Sequence, residues 1–188
     1  MRVIEQRKVL YETERVTLRR LTAQDSDEFT ELVRGSADFL RPWVRMPATA
    51  EKFTEYLRRF DGKTAECLLI CKRETGLIAG TISVGDMIRG PYQRATVGYN
   101  VFLPTARQGY MSEGFGLLFI FAFRDLRLHR LEADIQPGNV PSLRLAAKVG
   151  FRKEGYSPGF VCIDGKWLDH ERWAITSEMS AAKTTSSP

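Results

Sequence analysis

The stretch 96–136 limits the possible fold more than any other part of the chain. It reads as a strand (96–103), Pro104, a polar turn Thr105-Ala106-Arg107-Gln108-Gly109, a long apolar helix (111–126) and a second strand (128–136). Such a strand–helix–strand crossover suits parallel neighbours, so the sheet holding it has a parallel part here. The turn also has a chemical reading. The first N–H groups of a helix lack intrahelical acceptors, and the helix dipole makes that end electropositive. The N–H groups of Arg107, Gln108, Gly109, Tyr110, Met111 and Ser112 would thus face one phosphate-like ligand, with Arg107 adding a full charge. A glycine in a strand–helix turn also arises for backbone reasons alone.

The remaining elements arrange themselves around this unit. Residues 14–21 alternate as a half-buried strand. A capping-box-like start at 22–25 opens a helix with Phe29, Leu32 and Val33 on one face, ending near Gly35. Residues 36–47, with aromatics and two prolines, read as a loop or broken helix: a packed flap or a cleft wall. Thr49 can cap a helix to about residue 60. Strands at 65–73, 77–87 and 95–103 form a meander, and Gly98 suggests a bulge or a close backbone approach. Gly114 and Gly116 are tolerable early in the long helix if something packs closely against them. Pro141 suits the first turn of a helix ended by Gly150. Strands 151–163 and 166–176 are joined by Asp164-Gly165, a type I′ hairpin signal. The expected fold is α+β, with one mixed sheet flanked by helices. Residues 1–178 would form a single domain and residues 179–188 a disordered tail.

Composition removes several function classes. No run of 18 apolar residues spans a membrane, and charges interrupt the N-terminal residues, so no signal-peptide core is read and a cytoplasmic location is expected. Cys67 and Cys71 would lie roughly 13 Å apart along a strand, too far to bridge, and with Cys162 they read as buried reduced thiols. With two histidines in the chain, no metal site is expected. The net charge of +5 favours acidic partners, but the arginines are scattered and no nucleic-acid motif is present.

Residues 139–151 add a second signal: Asn139, then Ser142, then Lys148-Val-Gly150-Phe151, placed after a strand and before a terminal hairpin. This resembles the closing motif of the GNAT N-acetyltransferase superfamily, as does the element order. The superfamily's phosphate-loop slots fall on Ala106, Gly109 and Met111, of which Gly109 matches. Residues 15–21, 36–43 and 165–170 resemble the RimJ/RimL-like branch, which acetylates protein N-terminal amines. The likeness covers roughly 14–176.

The resemblance implies a sheet splayed between its two parallel strands and transfer of acetyl from acetyl-CoA to an amine. The pantetheine arm would pair with backbone at Asn100, Val101 and Phe102, the pyrophosphate would sit on the 107–112 amides, and an N–H near Val101 would polarise the thioester carbonyl. Ser142 is the candidate acid for the CoA thiolate, against a plain capping role. Asn139 would hold the arm, make an Asx turn, or both. Asp134 is the first candidate base, ahead of Glu132, Tyr99, Asp86 and a His170 whose acidic neighbours suggest a hairpin hydrogen-bond network. Phe39 and Trp43 would line the acceptor channel or simply pack. The expected acceptor is a protein α-amine. A small-molecule amine and a non-catalytic acyl-CoA-binding module are the alternatives, and a homodimer is left open.

Overall fold

The computed structural model describes residues 8–185, with side chains to residue 182. The reading of the extreme N-terminus and the last three residues of the expected tail lie outside them.

Eight strands form one sheet: β1 (Val9–Glu12), β2 (Val16–Arg20), β3 (Glu66–Lys72), β4 (Ile78–Ile88), β5 (Arg94–Val101), β6 (Arg130–Ile135), β7 (Arg152–Ile163) and β8 (Lys166–Thr176). Their spatial order is β1-β2-β3-β4-β5-β6-β8-β7. Only β5 and β6 run parallel, as the crossover required; the other neighbours are antiparallel.

Helices cover both faces of the β2–β5 half. On one side lie α1 (Ser26–Gly35), the short α2 (Ala37–Leu40) and α3 (Ala50–Leu57). Their Phe29, Val33, Leu40 and Phe53 meet Cys67, Leu69 and Cys71 of β3. On the other side α4 (Tyr110–Ile120) buries Phe115 and Leu118 in a core with Leu68 and Ile70, and α5 (Val140–Val149) joins the same core through Ala146, beside α4, β6 and β7. Strand β3 is therefore apolar without alternation because both of its faces are inside. Burial raises the Cys67 thiol to about 12 and the Cys71 thiol to about 11, which keeps both protonated. Cys162 differs from expectation: it is exposed on the terminal hairpin.

Several turn readings hold in detail. Asp164 and Gly165 both have positive φ (50° and 77°), the type I′ geometry. Gly98 is a close approach rather than a bulge: a Cβ there would lie 2.9 Å from Ser83 Oγ, and the register slips elsewhere, between Gly85 and Ile88. Gly114 packs against Ile70, whose Cδ1 would lie 2.4 Å from an added Cβ, whereas Gly116 faces open space. The long helix is α only to Ile120. It then widens into a π turn (Phe121–Asp125), with the Leu126 N–H donating to Phe121 O at 3.0 Å.

The C-terminal reading needs correction. Ser177–Thr185 form a helix, α6, across most of the expected disordered tail. Met179 packs onto the core shared with α4, and its N–H lies 3.4 Å from Thr176 Oγ1. One apolar side chain supplies the anchor that the polar sequence concealed. No helix among the described residues is long and apolar enough to cross a membrane.

Candidate active site

The two parallel strands touch briefly and then part. They pair at Arg94↔Arg130, Ala95↔Leu131 and Thr96↔Glu132. Beyond that, β5 continues along β4 to Val101, and β6 continues along β8 to Ile135. Backbone groups alternate in direction along a strand, so parity decides which residues face the gap. The Phe102 N–H donates to Ala79 O at 3.1 Å, on the β4 side. Asn100 shares that parity, and Val101 faces the gap. Of the three residues expected to form an edge for a ligand, only Val101 turns its backbone groups to the gap. Phe102 is fully buried in the core with α1 and α3, and its amide is already engaged. Asn100 contributes its side chain instead, with Nδ2 3.6 Å from Met46 Sδ.

At the open end of the gap, the chain enters α4 through two left-handed residues, Arg107 (φ 61°) and Gly109 (φ 86°). The first helical bond runs from the Glu113 N–H to Gly109 O at 3.2 Å, so the amides ahead of it have no intrahelical acceptor. That arrangement fits a pyrophosphate. Arg15 buttresses it from β2's approach. Its guanidinium donates to Gln108 O (3.0 Å) and Glu113 Oε1 (2.8 Å) and lies 5.0 Å from the Tyr110 ring centroid. Sequence reasoning placed Arg15 only in a resemblance; its contact with the loop is 93 residues away in the chain. The two departures from the family loop pattern lie away from the free amides. Met111 points into the core, where Gly80 leaves room for its sulfur, and Ala106 precedes the amides concerned. Ser112 lines a separate groove on the outer side of α4.

On the face of the sheet that α1–α3 leave open lies a cleft of about 1050 Å³. It brings together Asp134, Asn139, Ser142, Asn100 and Trp43. Trp43 covers the turn before α5: a Cβ on Gly138 would lie 3.4 Å from its Cη2. Arg45, two residues on, reaches across to Asp164 at the tip of the terminal hairpin (2.6 Å). Residues 43–46 thus form a strap over the cleft. Phe39 is not part of it; it is 41% exposed on α2 and does not line the cleft.

Asn139 caps α5, its Oδ1 accepting from the Ser142 N–H at 3.3 Å. The cap is therefore Asn139, and the Ser142 hydroxyl is engaged by no other group among the described residues. Tyr99 donates its OH to the Ser142 carbonyl (3.0 Å), which ties β5 to the start of α5 across the gap, and burial raises its pKa. Asp134 is held higher than an ordinary carboxylate, first by burial and then by Glu132, with Arg172 opposing. Arg172 Nε lies 2.7 Å from Asp134 Oδ1 as an ion pair without a directed hydrogen bond. The same guanidinium sits 4.5 Å from the Phe160 ring centroid. Sequence reasoning missed Arg172 and Phe160. Strand parity alone would have put Arg172 on one face with His170, but its partner depended on the β6–β8 register.

The acetyltransferase (GNAT) domain family matches residues 15–152. Among curated relatives, the chain is 34% identical over 170 residues to the probable N-acetyltransferase YjcK of Bacillus subtilis, covering 85% of this chain and 93% of the relative. It is 25% identical over 178 residues to the [ribosomal protein uS5]-alanine N-acetyltransferase of Escherichia coli, covering 90% and 92%. Mycobacterium smegmatis RimJ in complex with CoA-disulfide has the same fold, with a TM-score of 0.81 at 24% identity over 90% of this chain and 88% of that one. The chain belongs to the GNAT acetyltransferase family: it is an N-acetyltransferase that uses acetyl-CoA as its acetyl donor.

Proposed function

We propose that the acceptor is the N-terminal α-amine of a protein. The size and lining of the cleft carry this reading. At about 1050 Å³ it stands at the upper end of the roughly 300–1,000 Å³ typical of small-ligand sites. Its aromatic walls (Trp43, Tyr56, Phe60, Phe160) suit successive residues of an extended peptide, and its floor carries Asp134 and Glu132, carboxylates for which an incoming ammonium competes with Arg172, Arg94 and Arg130. The uS5-alanine N-acetyltransferase relative supports the same acceptor class.

In this reading the 107–112 amides hold the pyrophosphate, and the Val101 N–H polarises the thioester carbonyl. Asn139 fixes the first turn of α5, and the free Ser142 hydroxyl protonates the departing sulfur. Asp134 draws the ammonium in. For it to serve as the base, Arg172 must shift toward Glu132, whose Oε2 is already 4.0 Å from Arg172.

The test is an acceptor screen read by mass spectrometry: peptides beginning with Ala, Ser or Met against spermidine and aminoglycosides. Peptides should lead in kcat/KM by at least about tenfold, the scale that a few buried contacts supply. A lead for the polyamine would replace the reading with small-molecule acetylation. Separately, Ser142→Ala should lower kcat on the order of 100-fold, with little change in KM for either substrate. Unchanged turnover would remove Ser142 from the chemistry.

A further inference from the structure

We infer that His170 is the base that takes the proton from the acceptor ammonium. The ring is 4% exposed and lines the cleft. Its Nδ1 lies 3.0 Å from Leu168 O. A carbonyl oxygen only accepts, so Nδ1 carries the hydrogen and Nε2 carries the lone pair. That tautomer is the one a base needs.

Neither acidic neighbour hydrogen-bonds the ring, although Asp169 is close enough to act on it electrostatically. Asp169 accepts from the Tyr156 hydroxyl and the Gly159 N–H. Glu171 accepts from Trp173 Nε1 (3.0 Å) and pairs with Lys153 (2.8 Å). Both point to the opposite face of β8, as alternation demands. His170 and Arg172 share the cleft face. Arg172 stands opposite Asp134, and the last β6–β8 pair is Ile135↔Glu171. One step further puts His170 level with Gln136, where β6 ends and the chain turns through 137–139 into Ser142. The lone pair and the proposed acid hydroxyl thus belong to the same end of the cleft.

The competing groups are engaged. Glu132 is paired with Arg94 and Arg130, both at 2.7 Å. Asp134 faces Arg172. The Tyr99 hydroxyl is donated to Ser142 O. Asp86 is exposed where β4 breaks register, beside the closed end of the strand gap. No donor among the described residues meets His170 Nε2.

The proton account closes. The ammonium loses one proton to Nε2, and the imidazolium returns it to solvent. The freed nitrogen lone pair forms the C–N bond as the C–S bond breaks. The second nitrogen proton leaves as that bond forms and restores the Ser142 hydroxyl, which gives its own proton to the thiolate, so the turnover releases one proton to solvent in all. The inference rests on acetyl transfer to an amine and not on the amine's identity, so the assay uses whichever acceptor the enzyme turns over best.

The decisive variant is His170→Asn, which can keep the bond to Leu168 O but cannot take a proton. Its kcat should fall on the order of 100-fold, with the acetyl-CoA-induced thermal shift unchanged. The groups around His170 are Asp134 from β6, Asp169 and Arg172 from β8 and the uncharged Phe160 ring from β7, and all remain in the variant. The rate deficit should therefore shrink as pH rises toward the amine's own pKa, about 8 for an α-amine, because free amine then needs no base. Added imidazole should restore part of the rate. Independently of turnover, the ring ¹⁵N shifts of His170 should report the Nδ1–H tautomer. Assignment is direct because the chain has two histidines. A kcat within threefold of the parent, a deficit that does not change with pH, or an Nε2–H tautomer overturns the assignment. If the asparagine variant does not fold, His170→Gln is subjected to the same measurements.

Discussion

Gly80→Ala is expected to lower the thermal midpoint by about 5–10 °C and to weaken acetyl-CoA binding at least about tenfold. A Cβ at Gly80 would lie 2.5 Å from the Asn100 carbonyl oxygen and 2.6 Å from Met111 Sδ. The methionine can swing aside, but the carbonyl can move only if β5 leaves β4. Overpacking of this kind costs about 1–3 kcal/mol, and a backbone obstacle belongs at the upper end. The displaced strand carries Val101, the residue that faces the gap, so stability and ligand affinity fall together. Calorimetric melting and isothermal titration with acetyl-CoA measure both. A variant that melts like its parent and binds acetyl-CoA with equal affinity would show that β5 is more pliable than its pairing suggests. Adding Met111→Ala should recover only the part of the loss due to the sulfur.

Asp25→Ala should cost about 3–5 kcal/mol, more than any single surface change. Arg19 reaches inward from β2 and meets Asp25 with two bonds, NH1–Oδ2 at 2.9 Å and NH2–Oδ1 at 2.8 Å. The Arg19 side chain is 4% exposed and that of Asp25 is fully buried. Removing the carboxylate strands a guanidinium inside the protein. The pair also sets a pH dependence. Burial, the largest influence on Asp25, would raise its pKa, but the bonds from Arg19 and Thr22 outweigh it and leave the value below the ordinary one. A lowered folded-state pKa contributes stability that is present at neutral pH and is lost as pH falls through the folded value. Urea titrations at pH 7 and at strongly acid pH should therefore show the gap between parent and variant narrowing on acidification. A gap that stays constant would mean that the carboxylate acts through shape rather than charge.

The sequence made the elements and faces readable but left their partners hidden. Alternation in 128–136 put Leu131, Ala133 and Ile135 inward and Glu132 and Asp134 outward, and they lie so. The type I′ turn at Asp164-Gly165 and the left-handed Gly109 follow from local sterics, which need no knowledge of the rest of the chain. Register is different, because it is set by long-range pairing. Nothing near Asp134 announces Arg172, 38 residues later, and nothing near Gln108 announces Arg15. The same parity that separates Val101 from Phe102 is invisible until β4 is known to be the neighbour. The acidic residues on either side of His170 do not tell what it faces, because neighbours along a strand point opposite ways. Phe39 and Trp43 looked equivalent in one aromatic loop; a single helical turn, α2, turned one outward and left the other over Gly138.

The brief contact between β5 and β6 has a mechanical consequence. Within the sheet, only three residue pairs join a five-stranded panel, β1 to β5, to a three-stranded one, β6, β8 and β7. A donor molecule laid along Val101 works as a splint across that seam. Its binding adds contacts to both sides of the seam and stabilises the folded sheet as a whole, by about 2.7 kcal/mol when the donor stands at 100 times its dissociation constant. The acceptor cleft takes Asn100, Gly98 and its strap from the first panel's side and Asp134, His170 and Arg172 from the second, so its width is set by how the two panels sit against each other.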